Sequence, residues 1–360
     1  MVARYARRSD ARAAVQILNT FIPFLIFFYL ALESFAVSGY LAAACIVIVA
    51  LLTVRIFMLM HDCGHHSLFQ TQRLNQFFGF VAGVFCGMPQ YVWAKHHDYH
   101  HATNGNWSKY TGPLGTISVA AFAKLTPSGQ RRYQVLRNIL FTVPGAFMYF
   151  IVNPRLNWAL GSIKFMLYLG KAKWRHPRTP VSSLAAAFTT PHWQNATQYW
   201  HMAGNNLVLL GLWWGASAYF GVAAFFTVYL VSLTMGGAVG IILFSIQHNF
   251  EASYASDDAG WDYYRGAMEG ASCLALPPLL NWLSADIAYH HVHHLSARIP
   301  NYHLAACHRE HAHLFNEVKR LRLRDVAPSF KFILWDVQHS KLISVAQFRL
   351  MQAAAPAPVA

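Results

Sequence analysis

Long uncharged apolar runs alternate along this chain with stretches crowded by basic residues and histidines. Residues 15–32 and 37–54 carry no charge over 18 positions each, and the short segment between them holds no Lys or Arg. Residues 207–247 are uncharged for 41 positions. As one helix that run would be about 62 Å long, twice the ~30 Å hydrocarbon core of a bilayer, so it is expected to turn back between Gly215 and Gly221. The pattern predicts an all-α integral-membrane protein. Four transmembrane helices, spanning about 15–33, 37–60, 205–221 and 224–247, form two hairpins beneath a cytoplasmic helical cap. Residues 1–352 make one domain, and an Ala/Pro-rich tail, 353–360, is expected to be disordered.

The run 139–152 is shorter and contains Pro144 and Gly145. Like residues 77–93, it is expected to lie in the interface or dip in and out. Were it to cross alone, the basic stretch 164–178 would have to be external, against the positive-inside tendency.

Composition sharpens this picture. Only 12% of residues are charged and 55% are hydrophobic, against ~25% charged in soluble domains. Disorder, a disulfide-framed module and an ordinary cytosolic enzyme are excluded. Lys and Arg exceed Asp and Glu by 28 to 14, and they sit beside the apolar runs rather than along a recognition groove, so a membrane surface and not nucleic acid is the expected partner. Arg4, Arg7, Arg8 and Arg12 precede the first span, and both hairpin tips lack Lys and Arg. Both ends and the long middle segment should therefore be cytoplasmic. A cleaved signal peptide is not expected, because a second apolar span follows the first at once. The five cysteines form no CxxC pair.

Eleven of the twenty histidines fall in three clusters: His61, His65 and His66; His96, His97, His100 and His101; His290, His291, His293 and His294. Residues at i, i+3 and i+4 share a helix face. His61 with His65, His97 with His100 and His101, and His290 with His293 and His294 can each aim imidazoles to one side. Three such clusters on one membrane face, with His248 at the end of the last span, have no ordinary structural explanation. Neutral imidazole is a ligand for iron, zinc and copper, and nine nitrogens exceed the capacity of one ion. A structural zinc site would take four ligands and usually includes cysteine; Cys63 stands alone and reads as packing. Two oxygen-activating irons suit the count.

The runs His61-Asp-Cys-Gly-His65-His66, His97-Asp-Tyr-His100-His101 and His290-His-Val-His293-His294 resemble the three histidine boxes of the membrane fatty acid desaturases, over about residues 40–320. The resemblance is nearest to the bacterial acyl-lipid branch that also includes omega-6 enzymes. It implies a di-iron centre with His61, His65, His97, His100, His101, His248, His290, His293 and His294 as ligands. His66 belongs to its box by sequence, with ligation less firmly implied. It further implies O2 as co-substrate, a fatty acyl lipid as substrate and a cis double bond as product. With no fused haem signature and no dinucleotide fingerprint, a separate ferredoxin or cytochrome-type donor is expected to supply electrons.

Around this set, Asp62, Asp98 and Asp286 could accept imidazole N–H groups or serve as exposed carboxylates. Asn104 and Trp107 could shape an acyl channel. His96, His291 and the scattered His176, His192, His201, His303, His308, His311, His313 and His339 are expected to be second-rank or solvated. Two rivals remain: a fatty acyl or hydrocarbon hydroxylase with the same site, and a membrane metal transporter, which should bury polar groups along the spans. Double-bond position, chain length, acyl carrier and oligomeric state are not readable from the sequence.

Overall fold

The computed structural model describes residues 2–109 and 115–354. Helix α1, Asp10–Ser34, starts at Ser9, whose hydroxyl accepts from the Arg12 amide, and carries Asp10 in its first turn, where a carboxylate favours the helix N-terminus. After the turn 35–38 the chain re-enters as α2, Gly39–Gly64, which packs along α1. Asp10 accepts from the amides of Gln70 and Thr71 at 2.7 and 3.0 Å, tying the loop after α2 to the base of α1.

Helices α3, Gln72–Phe85, and α4, Gln90–Thr103, meet at 102°, the geometry of a broken span or a re-entrant loop. The bend turns on Gly87, with φ of +64°; a Cβ there would lie 2.8 Å from the Phe150 carbonyl oxygen. The Arg155 guanidinium donates to the Gly87 carbonyl, and also to Asn206 Oδ1 at 2.8 Å, bracing the bend.

Residues 139–152 do not form an isolated short segment. They run on through a π-helical turn, Phe147–Val152, into α5, Asn153–Arg175, so that Ile139–Arg175 is one helical stretch of 37 residues. The long uncharged run divides at Gly221, φ +84°, into α6, Ala196–Phe220, and α7, Val222–His248. Open space surrounds Gly221; the left-handed backbone, not crowding, calls for glycine.

Four helices among the described residues are long and apolar enough to cross a membrane: α1, α2, Ile139–Arg175 and α7. The expected span 205–221 is not one of them. It forms the apolar end of α6, but Thr197, Gln198, His201, Asn205 and Asn206 dilute the first half of that helix. Outward-facing Leu18, Ile22, Leu25, Leu210, Leu212 and Trp214 leave an exposed apolar surface suited to lipid.

The all-α expectation is corrected in one respect. Strand β1, Ile117–Ser118, pairs in parallel with β4, Phe332–Asp336, which pairs antiparallel with β5, Lys341–Ser344. Strand β2, Cys273–Ala275, pairs in parallel with β3, Arg320–Arg322. Of the tail expected to be disordered, Ala353 and Ala354 end the helix Val345–Ala354, and 355–360 lie outside the described residues.

Arg55 is buried in α2 and connects this scaffold to the third histidine cluster. Its Nε donates to Thr20 Oγ1 at 2.9 Å, its Nη1 donates to the Trp282 carbonyl, and its guanidinium lies 4.1 Å from the Trp282 ring centre. This holds the turn that precedes α8, His290–Leu295, against the bundle; α9, Asn301–Glu310, follows.

Candidate metal centre

The ends of α2 and α7, the second half of α4, and α8 bring the nine expected ligand histidines into two groups. His61, His65, His97, His101 and His293 form one; His100, His248, His290 and His294 form the other, with the ligand atoms of each group within 4.8 Å of one another. In the first, His101 Nε2 lies 3.1 Å from His97 Nε2 and 3.0 Å from His293 Nε2. In the second, His248 Nε2 lies 3.2 Å from His100 Nε2 and 2.9 Å from His290 Nε2, which is 3.0 Å from His294 Nε2.

Three rings are aimed by a partner on the far nitrogen. His61 Nδ1 donates to Asp62 Oδ1 at 3.0 Å, His65 Nδ1 faces Asp98 Oδ1 at 3.3 Å, and His248 Nδ1 donates to the Gly270 carbonyl at 3.0 Å. Each bond places the proton on Nδ1 and turns the Nε2 lone pair inward. Asp62 Oδ2 also accepts from the Asn301 amide at 2.8 Å, fastening α9 to the end of α2. Asp286 serves differently: its charged neighbours are Arg55 and Arg309.

Burial holds His65 below the usual histidine range, and holds His290, His293 and His294 far below it, with neighbouring imidazoles adding to the effect. These rings are neutral at neutral pH, so in each group nitrogen lone pairs face one another about 3 Å apart. His65 Nε2 has no hydrogen-bond partner. Such a set is electrostatically unfavourable alone and is satisfied by a cation; all-imidazole donors fit iron.

Several expected residues fall elsewhere. His66 is exposed, with φ of +55°, hydrogen-bonded to Gln72 and outside both groups. His96 is exposed. Cys63 is buried among Ala13, Ile17, Leu59 and Phe69. Asn104 and Trp107 are not among the residues lining the apolar cavity beside the histidines: Asn104 is buried and donates to the Gly266 carbonyl, and Trp107 lies against Trp335. His308 is half-buried and lies 3.0 Å from His291.

An apolar cavity of about 270 Å³ lies beside both groups, lined by His61, His97, His100 and His290 together with Phe57, Trp93, Tyr149, Phe150, Ile241 and Phe244. Its lining includes no carboxylate. These aromatic walls escaped sequence reasoning because their residues come from four distant segments with no shared spacing.

Comparison with known proteins agrees with the geometry. The family model described as fatty acid desaturase matches residues 38–324. A "Fatty acid desaturase" of Bacillus subtilis is 32% identical over 95% of this chain and 88% of its own length. An "Omega-6 fatty acid desaturase, endoplasmic reticulum" of Brassica juncea is 26% identical over 69% of this chain and 60% of its own. An Arabidopsis thaliana "Acyl-lipid omega-3 desaturase (cytochrome b5), endoplasmic reticulum" is 25% identical over 74% of this chain and 62% of its own.

Proposed function

The chain belongs to the fatty acid desaturase family, whose members are oxidoreductases, and from that premise we propose that it introduces a cis double bond into a fatty acyl chain of a membrane lipid. His61, His65, His97, His101 and His293 would hold one iron, and His100, His248, His290 and His294 a second. The observation that carries this reading is the apolar cavity lined by four of these histidines.

Two irons bound there would supply the oxidising power, drawn from O2, two donor electrons and two protons, that removes two hydrogens from adjacent methylenes and leaves an alkene and two waters. The protein's own part is positional. Phe57, Phe150 and Ile241 offer only hydrocarbon and aromatic surface, and Tyr149 adds its ring, which favours an acyl chain over water and holds its methylenes in one register. Trp93 stacks on His97 with ring centres 4.6 Å apart, and both side chains line the cavity. Asp62 and Asp98 are engaged with imidazoles, so no carboxylate competes as a base on C–H bonds that offer no acidity.

Topology follows from the same proposal. The two groups draw on histidines at the ends of α2 and α7, so both ends face one side, assigned to the cytoplasm by the basic flanks. Helix α7 has 27 residues, about 40 Å, and α6 has 25, about 37 Å. They cross as a pair joined at Gly221, while Lys164, Lys171, Lys173 and Arg175 near the end of α5 stay cytoplasmic. A separate ferredoxin or cytochrome-type protein would deliver electrons to this basic face; the cytochrome b5 in the Arabidopsis relative's name supports that class of donor.

Expression in a host lacking polyunsaturated lipids, followed by mass-spectrometric location of double bonds, tests the reading. A new double bond at one position is the expected result. Hydroxylated chains, or unchanged lipids with folded iron-loaded protein and a competent donor present, would refute it.

A further inference from the structure

The helix that carries His290, His293 and His294 has a reverse face, and a cluster of different composition stands there. His291, fully buried, points away from the nine-histidine centre, and its Nε2 lies 3.0 Å from His308 Nδ1. Cys273 completes a trio whose ligand atoms all lie within 4.8 Å of one another. The three side chains come from three elements, β2, α8 and α9. Phe315 walls the site, with its ring centre 4.9 Å from that of His291 and 5.6 Å from that of His308; Tyr289 lies 5.0 Å from His308.

We propose that Cys273, His291 and His308 form a mononuclear zinc site that fixes α8 to β2 and α9. One thiolate and two imidazoles make the borderline-soft donor set that zinc prefers, with the fourth tetrahedral position left to water. Zinc–nitrogen bonds of about 2.0–2.1 Å and a zinc–sulfur bond of about 2.3 Å place tetrahedral ligand nitrogens about 3.3 Å apart and nitrogen and sulfur about 3.6 Å apart. The observed 3.0 Å separation of the two nitrogens needs to widen by only a few tenths of an ångström.

Charge and shape are compatible with this. Burial pushes the Cys273 thiol up to about 11 against the pull of Arg320, its register partner on β3, and a bound zinc ion would hold it as the thiolate. The Arg320 side chain is itself exposed and its charge solvated. Helix α8 has six residues, far below the ~12–15 at which an isolated helix begins to hold in water. Its rotation decides where His290, His293 and His294 point, and a metal clamp on the opposite face fixes that rotation from outside the nine-histidine centre. The alternative is an N–H···N hydrogen bond between His291 and His308 with an idle thiol.

The proposal does not depend on the di-iron reading, and its test reads sulfur, which the nine-histidine centre lacks. Zinc-edge X-ray absorption on the purified wild-type protein in detergent should show zinc with one sulfur and the rest nitrogen or oxygen. Exchange with Co2+ should produce a thiolate-to-cobalt charge-transfer band that Cys273→Ser abolishes and that Cys63→Ser and Cys307→Ser retain. Folded wild-type protein without zinc, zinc with nitrogen and oxygen neighbours only, or a band that survives in Cys273→Ser would each overturn the proposal. The wild-type spectrum decides the matter even if Cys273→Ser does not fold.

Discussion

Moving the metal-stripped protein from about pH 7 to about pH 5.5 should cost it several kcal/mol of stability. Four buried histidines outside the spans carry the effect: His290, His293 and His294, each held far below the usual range by burial and by neighbouring imidazoles, and His291, lowered to about 3 by burial and His308. In the unfolded chain each titrates near ~6.5. Between that value and the folded one, the unfolded state binds more protons, so stability rises with pH there and is lost as pH falls through 6.5 or so. For one such group the loss between about pH 7 and about pH 5.5 is on the order of 1 kcal/mol, so the four together cost several kcal/mol. That rivals the 5–15 kcal/mol, or about that, of a whole domain. Carboxylates held below their ordinary range, such as Asp258 beside Lys109 and Glu310 bonded to Tyr5, stay silent in this window; Asp286, raised by burial, acts in the opposite sense. The assay is reversible unfolding of chelator-treated protein in detergent at the two pH values, with iron retention of the loaded protein followed in parallel, since protons compete with metal for the same nitrogens. A stability change below about 1 kcal/mol would mean these imidazoles are solvated or already charged in the fold, and the account of a neutral, cation-seeking site would fail.

Three further outcomes are expected. His101→Ala and His293→Ala should lower bound metal and reduce desaturation to background while membrane insertion persists, whereas His313→Ala, exposed on a 3-10 turn, should retain most activity; equal loss in all three would sink the ligand assignment. Gly240 lines the cavity, and a Cβ there meets nothing within 4 Å, so Gly240→Leu should intrude on the acyl path and shift preference toward shorter chains by about 10-fold or more per excluded methylene; an unchanged chain-length profile in product analysis would show that the cavity is not the acyl site. Cysteines placed at Ser108 and Ser182 should react with an impermeant thiol reagent from the cytoplasmic side and one at Ser38 from the other, and external labelling at Ser182 would require Ile139–Arg175 to cross alone.

The parts of this molecule that sequence made legible are those governed by a short period. An imidazole at i, i+3 or i+4 has no choice of face once the segment is helical, so His97, His100 and His101 were bound to share one side, as were His290, His293 and His294; which group each joins was not legible, since His100 parts from His97 and His101, and His293 from His290 and His294. Length did the same for α1, α2 and α7, because an uncharged run of 18 or more residues has few other places to go. The break of the long run at Gly221 was bracketed for a similar local reason: within an apolar stretch, a glycine at positive φ is the position where a helix ends most cheaply.

What stayed hidden depends on contacts between segments that carry no periodic mark. Asn104 and Trp107 follow a histidine box closely and looked like channel residues, yet α4 stops at Thr103 and the chain turns to Gly266 and Trp335, so adjacency in sequence was no guide to the cavity. Its walls come instead from Tyr149 and Phe150, in a run whose Pro144 and Gly145 suggested a short interfacial piece. The π-helical turn at Phe147–Val152 absorbs that irregularity and carries the helix on to Arg175. The trio Cys273, His291 and His308 shows the limit most sharply. His291 breaks the i, i+3, i+4 pattern of its own box, and His308 and Cys273 belong to no pattern at all. Their meeting is decided by the pairing of β2 with β3 and by Asp62 holding the start of α9. A site assembled by tertiary packing leaves only unexplained residues in the sequence, and a histidine facing the wrong way on a six-residue helix is where such a site first becomes visible.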